Sequence, residues 1–356
     1  MGDIFEELLK GIQSAGKNGQ FRTPRHIIRF MIHLLKPEIG KYVLDPTSGT
    51  GGFLINAIQY LSAENTEQDK IRYEWDGTPH RADAKKLDET EREKLYSGDY
   101  FVGFDNDRTM VRIAWMNMIL HGIQNPKIVR FDTLGQSLAN GESGKYHYIF
   151  ANPPYTGSID KGDLHKTRIP RDPRKAEDPI TTKSELLFVW LILDLLAKDG
   201  RAAVIVPEGV LFGSTTAHRE LRRQLLFENQ LEGVISLPGG IFLPYTGVKT
   251  SILVFQKKGE LPADLQPHTK QVWFYEIEAD GYTLDAKRNE KREANDLWDA
   301  LEKLSSESID ESIYHQPQYY VERWRLIDKD CIKIFPELAA QEGQTLGIHE
   351  RFADLP

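Results

Sequence analysis

Tyr146-His147-Tyr148-Ile149-Phe150-Ala151-Asn152-Pro153-Pro154-Tyr155 is the stretch that decides how this chain reads. Its first six residues make an apolar run of strand length. Two successive prolines then forbid a sheet ladder, since neither carries a backbone N–H, and the chain must leave the strand rigidly at Pro153. An amide side chain, a carbonyl that no neighbouring strand claims and an aromatic ring thus gather at the carboxyl end of a strand, where open α/β sheets bind ligands. An amide oxygen and a fixed carbonyl can accept both hydrogens of an exocyclic amino group, and a tyrosine can stack on the ring that carries it. The pattern suits a planar amine such as adenine N6. Taken alone, it suits a strand-ending turn equally well.

The flanking sequence alternates strand and helix signals. A strand at residues 42–44 and a helix at 52–61 come first. Strand signals recur at 100–104, 127–131, 202–206 and 231–237, and helical patterns at 107–121, 184–197 and 217–227. Thr23-Pro24 reads as the N-cap and first-turn proline of a helix running to Leu35. Residues 62–98 are charged and without period, and read as a surface insertion; 250–256 reads as a strand that can pair antiparallel, and 272–277 as one more strand candidate. Residues 3–12 read as a short amphipathic helix with nothing nearby to pack on, which suggests a remnant of a longer chain. The alternation predicts an α/β fold with a doubly wound, mostly parallel sheet and right-handed crossovers.

A second motif ends the first strand: Asp45-Pro46-Thr47-Ser48-Gly49-Thr50-Gly51-Gly52-Phe53. Glycines between strand and helix let the backbone approach a ligand. A dinucleotide fingerprint is disfavoured, because Leu54 stands where a third glycine belongs and Asp45 would repel a pyrophosphate. An acid there suits a cofactor with positive groups and no phosphate, and S-adenosyl-L-methionine has an ammonium, a sulfonium and a ribose. Asp105 follows the second strand, where a carboxylate can accept bonds from ribose hydroxyls; its alternative role is capping the next helix, which Asn106 or Asp107 can also fill. Asp132 follows the third strand and can accept from the cofactor's adenine amino group, or simply serve a turn.

Composition sets further bounds. The chain is 40% hydrophobic and 28% charged, ordinary for a globular protein with a large core. It has no apolar run of membrane-spanning length and no signal peptide, so neither a membrane span nor secretion is expected. A lone cysteine, Cys331, fits the reducing cytoplasm, and the ten histidines lack metal-ligand spacing, so no metal is expected. His33 and His121 lie in helical patterns and read as half-buried. The formal net charge of −8 does not supply a grip on a polyanion, which requires a local basic face or a partner.

Taken in order, Gly19-Gln20-Phe21-Arg22-Thr23-Pro24-Arg25, residues 45–53, Gly103-Phe104-Asp105 and residues 152–155 resemble the N6-adenine DNA methyltransferases, in particular the modification subunit of type I restriction–modification systems. Residues 200–207, 209–212, 237–242 and 247–250 are similar too, and the likeness covers roughly residues 3–257. It implies a seven-stranded sheet whose last strand, here 250–256, is inserted antiparallel. It implies that Gln20, Phe21, Arg22, Thr23, Pro24 and Arg25 line the methionine end of S-adenosyl-L-methionine. Asp45, Ser48 and Gly49 would adjoin a backbone cradle of Thr50, Gly51 and Gly52, Asp105 would hold the ribose and Asp132 the adenine. Departures are Asp105 where the family often has Glu, and Thr47-Ser48 where it often has Ala or Cys. Apart from the short first helix, no counterpart of the family's helical domain is expected ahead of Gln20, and no target-recognition domain is evident.

The domains expected are a helical remnant at 1–18, a catalytic domain at 19–258 containing the insertion and a basic loop at 157–182, and a mixed α/β extension at 259–356. The reaction implied is methyl transfer to N6 of an adenine flipped from double-stranded DNA. Asn152 and the Pro153 carbonyl accept the amino hydrogens, Pro154 stiffens the turn, and Tyr155 stacks on the base. The basic loop carries Lys161, Lys166, Arg168, Arg171, Arg174 and Lys175, which either contact DNA or form a solvated surface. Partners implied are a DNA specificity subunit, a restriction subunit and a second modification subunit. Rival readings are methylation of cytosine N4, guanine N2 in RNA or a protein glutamine, a non-catalytic binding module, and an NAD-dependent oxidoreductase. Ser commonly replaces Asn152 in the cytosine enzymes, and the glutamine enzymes lack a segment like 20–24; both facts favour adenine.

Overall fold

The computed structural model of the chain describes residues 23–135, 140–155, 157–164, 169–172, 175–259, 267–269 and 272–305. Its elements are α1 (Arg25–Leu35), β1 (Val43–Asp45), α2 (Gly52–Glu64), β2 (Arg72–Tyr73), β3 (Pro79–His80), α3 (Glu89–Tyr96), β4 (Phe101–Asp105), α4 (Arg108–Leu120), β5 (Lys127–Arg130) and β6 (Tyr146–Ala151). There follow β7 (Arg171–Asp172), β8 (Lys175–Pro179), α5 (Ser184–Leu195), β9 (Leu196–Pro207), α6 (Glu208–Phe212), α7 (Thr216–Arg223), β10 (Gln230–Ser236), β11 (Thr250–Gln256), β12 (Trp273–Glu276), β13 (Asp280–Tyr282), β14 (Glu290–Asn295) and α8 (Leu297–Ser305).

Eight strands form one sheet in the order β12-β10-β11-β9-β6-β1-β4-β5. β11 runs antiparallel to both neighbours, and every other pairing is parallel. The winding reverses between β1 and β6, so the strand ends at Asp45 and Ala151 flank the crevice where such sheets bind ligands. β9 and β11 are apolar in unbroken runs, Ala202 to Val206 and Ile252 to Phe255, because helices cover both of their faces. On one face α1, α2 and α4 pack Ile27, Met31, Leu54, Ala114 and Met118 against Phe150, Ile235 and Ile252. On the other, α5, α7 and the turn at Gln224–Glu228 pack Leu187, Leu191, Leu221 and Leu225 against Ile149, Val204 and Phe255. α5 is apolar all round and accordingly buried all round.

Three expectations change. The sheet has eight strands among the described residues, not seven, and β11 is not the last of them. β12 pairs with β10 through Gly233 to Ser236 and buries Trp273, Phe274 and Tyr275 over an edge that would otherwise stand open. Thr23 does not cap α1: Pro24 occupies the N-cap position without a side-chain bond, and the Thr23 hydroxyl is turned elsewhere. Finally, residues 62–98 contain the β2–β3 ribbon and α3, and they reach the core with Ala84, Leu87 and Leu95. Beyond residue 258, Leu297 and Ala300 of α8 join the core of α1 and α2. Among the described residues, no helix is long and apolar enough to cross a membrane.

Candidate active site

β6 runs between β1 and β9, with Ile149 opposite Leu44 and Ala151 opposite Val204. Its ladder stops there, as two prolines require. Pro153 is buried, Pro154 is exposed, and Asn152 is half-buried. The Asn152 amide is held at both ends: Nδ2 donates to Thr23 Oγ1 at 2.9 Å, and Oδ1 accepts from the Tyr155 hydroxyl at 2.5 Å. The Tyr155 ring is buried, edge-on to Phe242 with centroids 6.1 Å apart, and burial holds its hydroxyl well above the usual phenol range. Ser184, at the start of α5, supports the turn by donating to the Pro154 carbonyl at 3.4 Å.

The glycine turn lies beside it. Gly49 and Gly51 have φ of +50° and +82°, a region that side chains disfavour. Ser48 N–H donates to the Phe104 carbonyl, which fastens the turn to β4; a Cβ on Gly103 would come within 2.9 Å of Ser48 Cβ, so glycine is required there. Asp105 Oδ2 accepts from Gly49 N–H at 2.9 Å and Oδ1 from Asp107 N–H at 2.8 Å. The helix cap is Asp107, whose side chain accepts from the Thr109 and Met110 amides. Asp105 is therefore released from capping, and it joins the glycine turn to the β4 end. Burial, foremost, raises its carboxyl above the ordinary range.

Asp45 is fully buried. Its Oδ1 accepts from Thr47 N–H at 3.0 Å, and no ion pair reaches it among the described residues. Burial, foremost, with some help from the charge of Asp105, pushes the carboxyl up to about 8. A buried carboxyl without a cation is stabilised by a cationic ligand group. The buried Ser48 hydroxyl also has no partner among the described residues, and Ser48 lines the same space.

These groups border one cavity of about 470 Å³, of a size suited to a small-molecule cofactor. Thr23, Asp45, Ser48, Gly49, Thr50, Gly52, Asp105, Asp132, Asn152 and Pro154 line it. Pro24, Arg25, Gly51, Pro153 and Tyr155 do not, while Gln20, Phe21 and Arg22 lie outside the described residues. Apolar walls come from Met110, Phe131, Leu134, Ile159 and Phe188, none of which the sequence reading singled out. Phe131 had a legible signal, since it directly precedes Asp132 at the end of β5. Asp132 also keeps close to its own turn: its carbonyl accepts from Gly135 N–H, and a Cβ on Gly135 would lie 3.0 Å from its carboxyl carbon.

In the basic loop, Lys161 is exposed and pairs with Asp178 at 2.9 Å, an interaction worth about 0–1 kcal/mol and readily exchanged. Arg171 is half-buried on β7. Lys166, Arg168 and Arg174 lie outside the described residues, and Lys175 opens β8. The loop closes at its base where Ser158 Oγ donates to Thr182 Oγ1. Away from the cavity, His33 packs edge-on to Tyr60 and Trp298, and burial lowers it to about 4.

Residues 1–316 match the family model described as N-6 DNA Methylase. The type I restriction enzyme EcoEI methylase subunit of Escherichia coli is 35% identical over 276 residues, covering 77% of this chain and 48% of that protein. The EcoKI methylase subunit of Escherichia coli (strain K12) is 33% identical over 288 residues, covering 78% and 48%. The chain thus spans about half the length of the curated relatives it matches. Among solved structures, the type I restriction enzyme EcoKI M protein aligns with a TM-score of 0.60 at 28% identity, over 78% of this chain and 53% of that one. The type I restriction-modification system methyltransferase subunit from Streptococcus thermophilus aligns with a TM-score of 0.60 at 23% identity, over 87% and 58%, a likeness of fold.

Proposed function

This chain belongs to the N-6 DNA methylase family, and from that premise we propose that it transfers a methyl group to N6 of an adenine flipped out of duplex DNA, as the modification subunit of a type I restriction–modification system. The observation that carries this reading is the shared cavity: the Asn152 amide and the buried carboxyl of Asp45 border one space. S-adenosyl-L-methionine, when bound, supplies an electrophilic methyl on a sulfonium. The donor set suits it, because Asp45 offers a buried acid to an ammonium, the Ser48 hydroxyl lacks a partner among the described residues, and Asp105 can accept from ribose hydroxyls through its remaining lone pairs.

Adenine N6 is a weak nucleophile because its lone pair is delocalised into the ring. Asn152 Oδ1 and the Pro153 carbonyl accept its two hydrogens, draw the nitrogen towards tetrahedral geometry and turn the lone pair to the donor side of the cavity. Positioning and fixed dipoles then provide the rate gain, and the proton leaves after nitrogen has become cationic, so no strong base is needed. The apolar walls exclude water from the donor. Tyr155 acts at the acceptor end through its hydroxyl on Asn152.

With a net charge of −8, the chain delegates sequence reading and much of the duplex grip to a specificity subunit. The full assembly also holds a second modification subunit and a restriction subunit in the cytoplasm. Domain roles follow: residues 19–258 catalyse, and 259–356 are a C-terminal extension. The test is incubation with labelled S-adenosyl-L-methionine and genomic DNA, with and without a specificity subunit, followed by nucleoside mass spectrometry. N6-methyladenine is expected. Label found only in N4-methylcytosine, RNA or protein would overturn the assignment.

A further inference from the structure

A terminal amide can present either of two faces to a ligand. With Oδ1 forward, Asn152 accepts an amine hydrogen; rotated by half a turn, it would offer Nδ2–H and repel the same amine. Some group must therefore fix its polarity. The structure assigns a share of that task to Thr23: its hydroxyl accepts from Asn152 Nδ2 at 2.9 Å, across 129 residues of sequence, and together with the Tyr155 hydroxyl that donates to Oδ1 it holds the amide with Oδ1 as its acceptor end. This rests on the proposed role of Asn152.

Three observations favour a dedicated hydroxyl. Thr23 is 6% exposed, and it makes no cap bond to α1. It precedes Pro24, whose ring confines the preceding residue to extended backbone, so Thr23 has little freedom to swing. Pro24 is in turn fastened to the first turn of α1, its carbonyl accepting from the Ile27 and Ile28 amides at 3.0 Å each. The hydroxyl therefore stands on a rigid mount. Acceptance from Nδ2 also polarises the amide and makes Oδ1 a stronger acceptor, which reinforces the bond donated by Tyr155. Thr23 is a positioning residue in this account, and the Thr-Pro pair at the head of α1 serves the methyl acceptor as well as the donor.

The full chain is tested as wild type, Thr23→Val and Thr23→Ser. Side-chain amide NMR with labelled asparagine follows the Asn152 signal, identified by its loss in Asn152→Asp. In wild type and Thr23→Ser one Nδ2 proton should exchange slowly with water, and in Thr23→Val that protection should vanish. In single-turnover transfer from labelled S-adenosyl-L-methionine to a duplex carrying an unpaired adenine, Thr23→Val should lose about 100-fold in rate, the usual penalty for a misplaced group. Its calorimetric affinity for the donor should fall far less than its rate, and Thr23→Ser should recover most of the rate. Unchanged exchange, an unchanged rate, or a loss confined to donor affinity would each overturn the proposal. If wild type transfers nothing to adenine, the functional reading fails, while the exchange measurement still decides the role of Thr23.

Discussion

Replacing Asn152 by alanine removes the side-chain oxygen proposed to accept from the target amine, while the carboxyls around the donor remain. Asn152→Ala is expected to lower methyl transfer by at least about 100-fold, with donor affinity kept within about twofold, as rapid-quench kinetics and calorimetry can measure; a matching fall in both would contradict the division of labour. Asp45 behaves differently because burial raises it to about 8. The folded protein without donor holds this carboxyl protonated, and an unfolded chain ionises it near pH 4. Its contribution to stability is therefore full below pH 4 and is lost as pH rises towards 8. Asp45→Asn cannot ionise, so its melting temperature should exceed that of wild type by a margin that widens up to about pH 8, while donor affinity falls. A constant margin across that range would show that Asp45 titrates normally. The placing of Asn152, Asp45 and Asp105 at strand ends was legible in sequence, because Asn152 and Asp45 stand beside a proline and Asp105 closes an apolar run, which are local signals. The Thr23 bond was not, because it joins positions 129 residues apart and nothing local announces it. Phe188 was equally silent, since an aromatic on a uniformly apolar helix reads as core.

The start of α4 separates two neighbouring acids by task. Asp107→Ala removes the cap and should cost about 1 kcal/mol in thermal or denaturant unfolding, with donor binding retained. Asp105→Ala should weaken donor binding at least about tenfold, because it loses both the ribose acceptor and the bond that shapes the glycine turn. Exchange of those two phenotypes would mean that the roles are reversed. The ends of α4 and β6 were readable to within a residue, since Asp107 and Pro153 stop their elements sharply. α3 went unread although Asp88 and Glu91 form a capping box around its first turn. It buries only Leu95, so no apolar period betrays it. The long β9 was read only at 202–206, because its early residues include the exposed Lys198 and Asp199.

The sheet as a unit depends on residues past 257, where the motif likeness read from the sequence ends. A chain ended at residue 258 would bare the edge of β10 and lose the cover of Trp273, Phe274 and Tyr275. It is expected to self-associate, which sedimentation would detect, since an open apolar edge templates pairing; a monomer with an unchanged melting temperature would show that β12 is dispensable. The doubly wound order and the inverted β11 were both legible, one from strand–helix alternation and the other from the resemblance. The eighth strand was not assigned to the sheet, because a short aromatic run after a long polar stretch does not declare what it pairs with. The inverted strand also shapes how the protein must be made. β11 sits between β9 and β10, yet the ribosome delivers it after both. At typical elongation speed the residues between β10 and β11 take roughly 1–3 s to emerge. Through that interval the nascent polypeptide holds a gap between two finished, water-averse ribbons, and a chaperone that shields this gap would govern its yield in the cell.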